Sequence, residues 1–298
     1  MVRIGWVGLG NMGAPMAANL VRAGHVVKGY DVSETASTAA ARHGVEVQRS
    51  IAGTVTDADV VFTMLPTGAH ARDVLLGGDG VLSSAPTTAV VVDSSTIDIA
   101  TARDLHAAAR ESGHGFLDAP VSGGVSGAAA GNLTFMVGGD ADVLAAASPV
   151  IDVLAGRVVH CGGPGNGQAA KIANNMILAI CLQATCEGAV LAERLGLDSA
   201  TFQQLAAASS ADNWALRTWY PVAGVVETAA SNRDFTPGFS TALLRKDVGL
   251  ALQAGKETGT DLSFAAAVAA RLDVLIEKGW ADRDCSILVD LVLRSRTA

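Results

Sequence analysis

The chain is poor in the residues from which metal centres and disulfide frameworks are built. It has four cysteines in 298 residues, and these form no CxxC pair and no cluster with histidine at metal-ligand spacing. The sequence therefore predicts no metal site and no structural disulfide. We expect the four thiols to be buried and reduced, which favours a cytoplasmic location.

Positive charge is also scarce. Lysine and arginine number 21 against 29 acidic residues, the formal net charge is −8, and no run of basic residues occurs. Nucleic acid needs a basic footprint, so the sequence predicts no such partner. An apolar stretch over residues 172–192 contains two asparagines, a glutamine and a glutamate, which a membrane span accommodates only at high cost. We expect this stretch to be a buried helix of a soluble protein.

Half of the residues are hydrophobic, and in the first half of the chain they form short β-branched runs that alternate with helical patterns. Such alternation predicts parallel strands joined by crossover helices, that is, a doubly wound α/β sheet. Helices are predicted over residues 12–23, 34–43 and 99–112. The predicted strands cover residues 3–8, 26–31, 60–65, 90–94, 115–118, 134–137 and 158–161.

The pattern changes at the glycine-rich segment 162–165. From residue 168 onward it is helical almost to the end, apart from a loop over residues 220–240 that holds two prolines and two glycines. The sequence thus predicts an α/β domain over residues 1–164 and an all-α domain over residues 165–298, joined by a long helix. A ligand is expected in the cleft between two domains of this kind.

A glycine motif lies between the first predicted strand and the first predicted helix. Gly8, Gly10 and Gly13 form GxGxxG, with Asn11 and Met12 inside it. In a chain with 33 glycines the pattern alone carries little weight. Its position after a strand and at the start of a helix, however, is that of the dinucleotide-binding fingerprint, in which the helix N-terminus faces the pyrophosphate. The motif predicts a Rossmann-like domain.

The second predicted strand ends at Asp31, near the distance of about 20 residues at which the fingerprint places an acidic residue. A carboxylate there accepts hydrogen bonds from ribose hydroxyls and repels a 2′-phosphate, and the next three residues contain no arginine. NAD is therefore predicted rather than NADP. Two later strand ends, at Leu65-Pro66 and at Thr96, are candidate cofactor contacts, although plain strand-to-helix turns explain them equally well.

Hydride transfer from an alcohol needs a group that takes the hydroxyl proton. A Tyr-x-x-x-Lys pair is excluded because Glu34 and Gly224 stand four residues after the only two tyrosines. Zinc ligands at suitable spacing are lacking, and none of the six histidines lies among obvious polar partners in the sequence. Lysine is left, since arginine cannot give up its proton whereas a desolvated lysine can.

The lysine best placed for this role is Lys171. It lies in the first turns of the long helix, just after the glycine-rich segment, and Asn175 follows four residues later on the same helix face. One side chain could exchange the proton while the other holds the substrate. A lysine near a helix start is more often a solvated surface residue, and position alone leaves that alternative open.

From residue 3 to residue 293 the chain resembles the β-hydroxyacid dehydrogenases. Four motifs occur in family order: residues 5–13, the segment Asp118-Ala-Pro-Val-Ser-Gly-Gly124, residues 165–175 and the pair Lys246-Asp247. The resemblance implies a Rossmann-like domain, a long connecting helix and an α-helical domain that forms the interface of a homo-oligomer, either a dimer or a tetramer.

The same resemblance implies a role for individual residues. Lys171 matches the catalytic lysine of the family. Ser122, Gly123 and Gly124 match a site that binds the substrate carboxylate, as a hydroxyl and successive backbone N–H groups are suited to do. Further substrate contacts are implied at Asn175, Phe239 and Asp247, and further cofactor contacts at Leu65, Pro66, Thr96 and Lys246.

Within that family the resemblance is strongest to members that oxidise 3-hydroxyisobutyrate to methylmalonate semialdehyde, a step of valine breakdown. The stretch 219–225 departs from their pattern at Tyr220 and Ala223, so the substrate pocket is expected to differ in shape from theirs if this loop lines it. Reduction of tartronate semialdehyde, glyoxylate or succinic semialdehyde is the nearest alternative. Imine reduction is another alternative, against which Lys171 argues. Cofactor binding without turnover is a third, in which Lys171 would be an ordinary helix cation.

Overall fold

The computed structural model describes residues 1–294. The chain forms two compact units, Met1–Lys171 and a second that starts at Ile172. The predicted domain boundary at residue 164 lies just before a helix, Asn166–Arg194, and the division between the two units falls in the second turn of that helix.

One sheet organises the first unit. Among the described residues it has nine strands, in the spatial order β3-β2-β1-β4-β5-β6-β8-β7, with β9 also paired to β8. The strands are β1 Arg3–Val7, β2 Val26–Tyr30, β3 Glu46–Val47, β4 Val60–Thr63, β5 Val90–Asp93, β6 Gly115–Asp118, β7 Val121–Ser122, β8 Leu133–Gly138 and β9 Ala155–Gly162.

The sheet is not parallel throughout. From β3 to β6 every neighbouring pair is parallel, as predicted. At the other edge β8 runs antiparallel to both β6 and β7, and β9 is parallel to β8. The expectation of parallel strands alone is wrong here. Strands β6 and β7 run in the same direction and pair with successive stretches of β8, at Asp118↔Gly138 and at Val121↔Phe135. The chain reverses its direction through the short helix Gly124–Ala130 between β7 and β8, so β8 returns beside them as an antiparallel strand.

Helices cover both faces of this sheet. They are α1 Gly13–Arg22, α2 Glu34–Ala41, α3 Ile51–Val55, α4 Gly68–Leu76, α5 Val81–Ser84, α6 Ile99–Glu111, α7 Gly124–Ala130 and α8 Ala141–Leu154. Several begin at a hydroxyl or carboxylate that accepts a backbone N–H, as at Ser33, Thr67 and Asp98, which satisfies donors that the first turn of a helix leaves unpaired.

Successive residues of the central strands belong to two different cores. Trp6 of β1 and Phe62 of β4 lie in one core, with their rings stacked at 4.9 Å between centroids. Val7 and Val61, the next or preceding residue in each strand, lie in the other. Because side chains of a strand alternate between faces, the sheet is buried on both sides, which is the defining property of a doubly wound fold.

The second unit is helical, and its first helix begins in the first unit. Helix α9 Asn166–Arg194 begins in the first unit and continues into the second. It is followed by α10 Ser199–Ala207, α11 Trp214–Thr218, α12 Thr241–Thr258, α13 Ser263–Glu277 and α14 Leu288–Arg294. Their core contains Leu182 and Cys186 of α9, Leu244 and Val248 of α12, and Leu272 of α13.

Helix α9 is only partly buried. By length and composition it is apolar enough to cross a membrane, and half of its most apolar stretch is buried inside the fold. Ile177 and Leu191 are 57% and 60% exposed. The predicted buried helix over residues 172–192 is therefore a helix that is buried only in part, since Ile177 and Leu191 are exposed.

All four cysteines are free thiols, but they differ in environment. Cys186 and Cys285 are buried, and burial raises the pKa of both. Cys161 and Cys181 are partly exposed, so the prediction that all four thiols are buried is wrong for these two. Cys161 lies in β9, a strand whose residues are mostly exposed or half-buried.

Candidate active site

The glycine loop between β1 and α1 has the three properties that a dinucleotide requires of it. Gly8 has a φ of +98°, and a Cβ there would collide with the carbonyl oxygen of Met64. A Cβ on Gly13 would collide with the carbonyl oxygen of Gly8 and would lie 2.8 Å from the indole nitrogen of Trp6. A Cβ on Gly10 would meet none of the described atoms within 4 Å. Gly8 and Gly13 thus allow the tight turn and the close helix–strand packing, while Gly10 leaves the space that a pyrophosphate needs.

Trp6 stabilises the glycine loop, because its Nε1–H donates a hydrogen bond to the carbonyl oxygen of Gly8 at 2.9 Å. Asn11 and Met12 lead into α1, and among the described side chains none caps this helix at Met12. Within the first turn Pro15 has no N–H and the N–H of Ala14 donates to the carbonyl oxygen of Gly10 at 3.0 Å. What this helix start offers an anion is mainly the positive end of the helix dipole.

Asp31 lies directly after β2 and joins two segments of the cofactor site. Its Oδ2 accepts the N–H of Leu9 and its Oδ1 accepts the N–H of Ser33, both at 2.7 Å. Each carboxylate oxygen has a second lone pair, so the group can still accept a bond from ribose hydroxyls. Asp31 consequently shapes the glycine loop as well as presenting negative charge, a structural role that the fingerprint does not reveal.

A buried hydrogen-bond network fixes the loops that follow β4 and β5. Oδ1 of Asp93 accepts bonds from Thr63 Oγ1 at 2.7 Å and from Ser95 Oγ at 2.5 Å, and Ser95 Oγ in turn accepts the N–H of Leu65 at 2.9 Å. Burial raises the pKa of Asp93. The network places Leu65 and Thr96, two predicted cofactor contacts, on neighbouring loops at the carboxyl edge of the sheet. Leu65 is followed by Pro66, the third such contact.

From the sequence Asp118 was identified only as the first residue of a motif, and the role of its carboxylate, which organises the start of α9, was missed. Its Oδ1 accepts the N–H of Gly165 and its Oδ2 accepts the N–H of Gln168, each at 2.9 Å. Nε2 of His106 lies 2.7 Å from Oδ1. Asp118 is fully buried and His106 is nearly so. The carboxylate thus caps the helix on which Lys171 lies.

No histidine lies in a segment with obvious polar partners in the sequence, but the fold gives His106 one in Asp118, 12 residues away along the chain. The two residues of the His106–Asp118 pair come from α6 and β6, and both oxygens of the carboxylate also accept backbone N–H groups of the α9 start. The ring of His106 packs edge-on against Phe116 at 4.8 Å between centroids. Because the pair is buried and its acceptors are occupied, it supports the fold rather than exchanging a substrate proton.

Lys171 lies one turn after Gln168 on α9 and is 7% exposed. Gln168 is itself fully buried; its Nε2 donates to the carbonyl oxygen of Ser95 at 2.8 Å, and its Oε1 accepts the N–H of Ile97 at 3.1 Å. The alternative of a solvated surface lysine is therefore wrong for Lys171. Lys171 is buried because the first turns of α9 pack closely against the edge of the sheet.

The predicted carboxylate-binding residues lie at the end of β7 and the start of α7. Ser122 is the last residue of β7, and Gly123 and Gly124 have φ values of +132° and +62°. Both glycines adopt backbone conformations in which an L side chain is strained. A side chain on Gly124 would meet none of the described atoms within 4 Å, so the loop faces open space at that point.

In the second unit a polar cluster joins α9 to α12. Asn175 Nδ2 donates to Asp247 Oδ2 at 2.6 Å, and Asn175 Oδ1 accepts a bond from Asn174 at 3.0 Å. Lys246 Nζ lies 3.2 Å from Asp247 Oδ1. Three predicted site residues are therefore in contact. In this arrangement Asp247 orients Asn175 and Lys246, and its predicted contact with a substrate remains a prediction.

The stretch 219–225 departs from the family pattern at Tyr220 and Ala223, and these two residues lie in different surroundings. Tyr220 is fully buried in a small core with Ala189 and Leu216, and burial raises its pKa to about 12. It cannot line an open pocket. Ala223, in contrast, lines a cavity of about 450 Å³ within the second unit.

Phe239 belongs to an aromatic group ahead of α12. Its ring lies 6.2 Å from that of Trp219, which packs edge-on against Trp214 at 4.7 Å. Its backbone N–H donates to Asp284 Oδ2 at 3.2 Å. Phe239 is thus held by stacking on its ring and by a hydrogen bond of its backbone, and its predicted contact with a substrate remains a prediction.

Two family models match successive parts of the chain. Residues 3–163 match the NAD-binding domain of 6-phosphogluconate dehydrogenase. Residues 165–292 match the NAD-binding model of NADP-dependent 3-hydroxyisobutyrate dehydrogenase. The models meet at the glycine-rich segment that precedes α9.

Curated relatives and solved structures agree with these models. A probable 3-hydroxyisobutyrate dehydrogenase of Mycobacterium bovis is 48% identical over 99% of both chains. An NAD-dependent L-serine dehydrogenase of Pseudomonas aeruginosa is 40% identical over 98% of both. The solved structure of 3-hydroxyisobutyrate dehydrogenase from Mycobacterium tuberculosis with L-serine matches with a TM-score of 0.90 and 47% identity, over 99% of this chain and 100% of that one. The chain therefore belongs to the 3-hydroxyisobutyrate dehydrogenase family, and it is an NAD-dependent oxidoreductase.

Proposed function

We propose that the chain oxidises 3-hydroxyisobutyrate to methylmalonate semialdehyde, with Lys171 as the group that takes the hydroxyl proton, and that it serves valine breakdown. The observation that carries this proposal is the burial of Lys171 one turn after Gln168, whose side chain is bonded to the loop of Thr96. A primary amine is thereby held beside a loop predicted to contact the cofactor, where an alcohol must react.

The reaction balances with the groups available. Bound NAD supplies the acceptor for the hydride that leaves the hydroxyl carbon. The amine of Lys171, in its neutral form, accepts the hydroxyl proton as the carbonyl forms, and the resulting ammonium then releases that proton to solvent. Ser122, Gly123 and Gly124 bind the carboxylate of the acid, and Asn175 orients it with the amide hydrogen that Asp247 does not use. Lys246 is proposed to contact the cofactor.

A second substrate is supported by a specific finding. One relative is named an L-serine dehydrogenase, and the solved relative contains L-serine. L-Serine has the carboxylate and the hydroxymethyl group of 3-hydroxyisobutyrate, with an ammonium group where the latter has a methyl group. Asp247 Oδ2 accepts a bond from Asn175, whereas its Oδ1 lies 3.2 Å from Lys246 Nζ and accepts no hydrogen bond among the described residues, so this carboxylate does not distinguish the two substrates. The methyl-bearing acid is favoured because the relative named for it is 48% identical, against 40% for the L-serine dehydrogenase.

A substrate panel tests this choice. We expect the largest kcat/KM for 3-hydroxyisobutyrate when it is compared with L-serine and with the reduction of tartronate semialdehyde, glyoxylate and succinic semialdehyde, because a methyl group gains from an apolar pocket and is worth a factor of about 10 to 200. Steady-state kinetics with NAD or NADH measure it. A larger kcat/KM for L-serine, or for any aldehyde without the methyl branch, would overturn the assignment.

The role of Lys171 has its own prediction. Lys171→Ala should bind NAD normally and lose on the order of 10²-fold or more in kcat, the scale at which a lost acid/base group acts. Rapid kinetics of NADH formation and NAD titration measure the two quantities. Lys256→Ala, at an exposed position of α12, is the control and should retain wild-type kcat. Near-normal turnover by Lys171→Ala would exclude lysine as the proton acceptor.

Asp31 governs the choice between NAD and NADP. Asp31→Asn or Asp31→Ser should narrow the ratio of kcat/KM for NAD over NADP, because the carboxylate that repels a 2′-phosphate is gone. Asn keeps an oxygen for the Leu9 N–H, so its glycine loop should be disturbed less than that of Ser. Glu34→Gln, at an exposed position nearby, should leave the ratio unchanged. A wild-type preference for NADP would contradict this interpretation of β2.

We also propose that the chain forms a homo-oligomer through the second unit. Ile177 and Leu191 lie about four turns apart on one face of α9 and are both more than half exposed, as are Leu205 of α10 and Phe264 of α13. Soluble proteins rarely expose large apolar side chains in such number unless a partner covers them. A second copy of the chain would bury them.

Light scattering after gel filtration tests the oligomer. The wild type should have a mass that is a multiple of the 30.2 kDa protomer, and Leu191→Glu should lower it, because a charge cannot be buried unpaired in an apolar interface. Leu76→Glu, the same change at an exposed position of the first unit, should have no effect. A wild-type mass of one protomer would rule the interface out.

A further inference from the structure

Gln168 makes three hydrogen bonds to the sheet edge, and all of its polar side-chain groups take part. Its backbone N–H donates to Asp118 Oδ2 at 2.9 Å, its Nε2 donates to the carbonyl oxygen of Ser95 at 2.8 Å, and its Oε1 accepts the N–H of Ile97 at 3.1 Å. The residue has no exposed surface. A buried amide that is satisfied in this way is held in one orientation.

The two side-chain bonds have a particular meaning because Ser95 and Ile97 flank Thr96. The carbonyl of Ser95 and the N–H of Ile97 belong to the two peptide groups on either side of Thr96. The amide of Gln168 binds both of them, much as a neighbouring strand would. The position of Thr96 is therefore set by a residue of α9 as well as by its own loop.

The position of Lys171 depends on the same contacts of Gln168 with the sheet edge. It follows Gln168 by three residues on α9, so the two side chains lie on the same face of the helix, and both are buried. The helix has little freedom to slide, because a Cβ on Gly167 would collide with the carbonyl oxygen of Asp118 and would lie 2.5 Å from that of Met136. The backbone of α9 is thus in close contact with the sheet edge just before Gln168.

We propose that Gln168 is a positioning residue for the reaction: through its clamp on the peptides around Thr96 it fixes the distance between the amine of Lys171 and the nicotinamide end of the cofactor site. The inference rests on the proposed roles of Lys171 and Thr96. Hydride and proton leave the same alcohol group, so the nicotinamide ring that accepts the hydride and the amine that accepts the proton must be held at a fixed distance from each other. A displacement of about 1 Å can cost on the order of 10²-fold in rate.

The test uses Gln168→Met, which keeps the length of the side chain and removes both of its hydrogen bonds. We expect kcat to fall about 30- to 100-fold, while KM for the hydroxy acid changes less than threefold. A second measurement does not depend on turnover. Titration of the tryptophan fluorescence should show weaker binding of NAD by several-fold and unchanged binding of ADP, because the glycine loop and Asp31, which bind the adenosine half, are untouched.

Gln183→Met is the matched control. Gln183 is a buried glutamine on the same helix, and its Nε2 donates to Glu187 at 2.8 Å, far from the sheet edge. This variant should keep wild-type kcat and wild-type affinity for NAD and ADP. Urea denaturation of both variants separates a loss of stability from a loss of positioning, since a purely structural role would affect stability without altering NAD affinity relative to ADP.

Gln168→Glu serves if the methionine variant does not fold. Glutamate keeps an acceptor for the N–H of Ile97 but presents a second acceptor to the carbonyl of Ser95, and its kcat should fall at least as far as that of Gln168→Met. A folded variant with kcat within threefold of wild type, or with NAD and ADP weakened equally, would overturn the inference. If the wild type does not oxidise a hydroxy acid, or if Lys171→Ala turns over normally, the proposed function fails instead.

Discussion

The capping of α9 by the carboxylate of Asp118 is the interaction on which the rest of the site depends. A helix start leaves backbone N–H groups unpaired, and here a fully buried carboxylate accepts two of them, from Gly165 and Gln168. A third bond, from His106, occupies a further lone pair. Burying a carboxylate is costly unless its acceptors are filled, so the cap requires the helix to sit at one place on the sheet edge. Lys171 takes its position from that requirement.

A second buried carboxylate does the same for the loops at the ends of β4 and β5. Asp93 accepts hydroxyl groups from Thr63 and Ser95, and Ser95 in turn holds the backbone of Leu65. Gln168 connects the two networks, since its amide bonds to the backbone of Ser95 while its N–H bonds to Asp118. The loops after β4 and β5 and the first turns of α9 are thus joined by one set of hydrogen bonds within the first unit. Preorganisation of this kind is what a two-atom transfer of hydride and proton demands.

Substrate identity is a finer matter than reaction class, for an energetic reason. The acids in question differ by a methyl group, an ammonium group or one carbon, and a single methyl group in an apolar pocket is worth only about 1–3 kcal/mol. If Phe239 lines the pocket as predicted, its position is set by stacking on Trp219, and no motif specifies that spacing. The departure at Tyr220 illustrates the point, because its side chain fills a core and so leaves the pocket wall to other residues.

Local chemistry was readable from the sequence. The strand, glycine loop and helix of the fingerprint and the carboxylate of Asp31 are contiguous or nearly so, and their geometry follows from backbone sterics and strand ends that the pattern itself displays. Elimination of other proton acceptors and the position near a helix start pointed to Lys171 and Asn175, and the family resemblance gave the same two residues. Only the tertiary structure decided the antiparallel edge of the sheet and the anchor of α9, because the bonds of Gln168 to Asp118 and Ile97 join residues 50 and 71 positions apart. A sequence pattern records which groups need partners, whereas the choice of partner depends on which surfaces the folded chain brings within about 3 Å of each other.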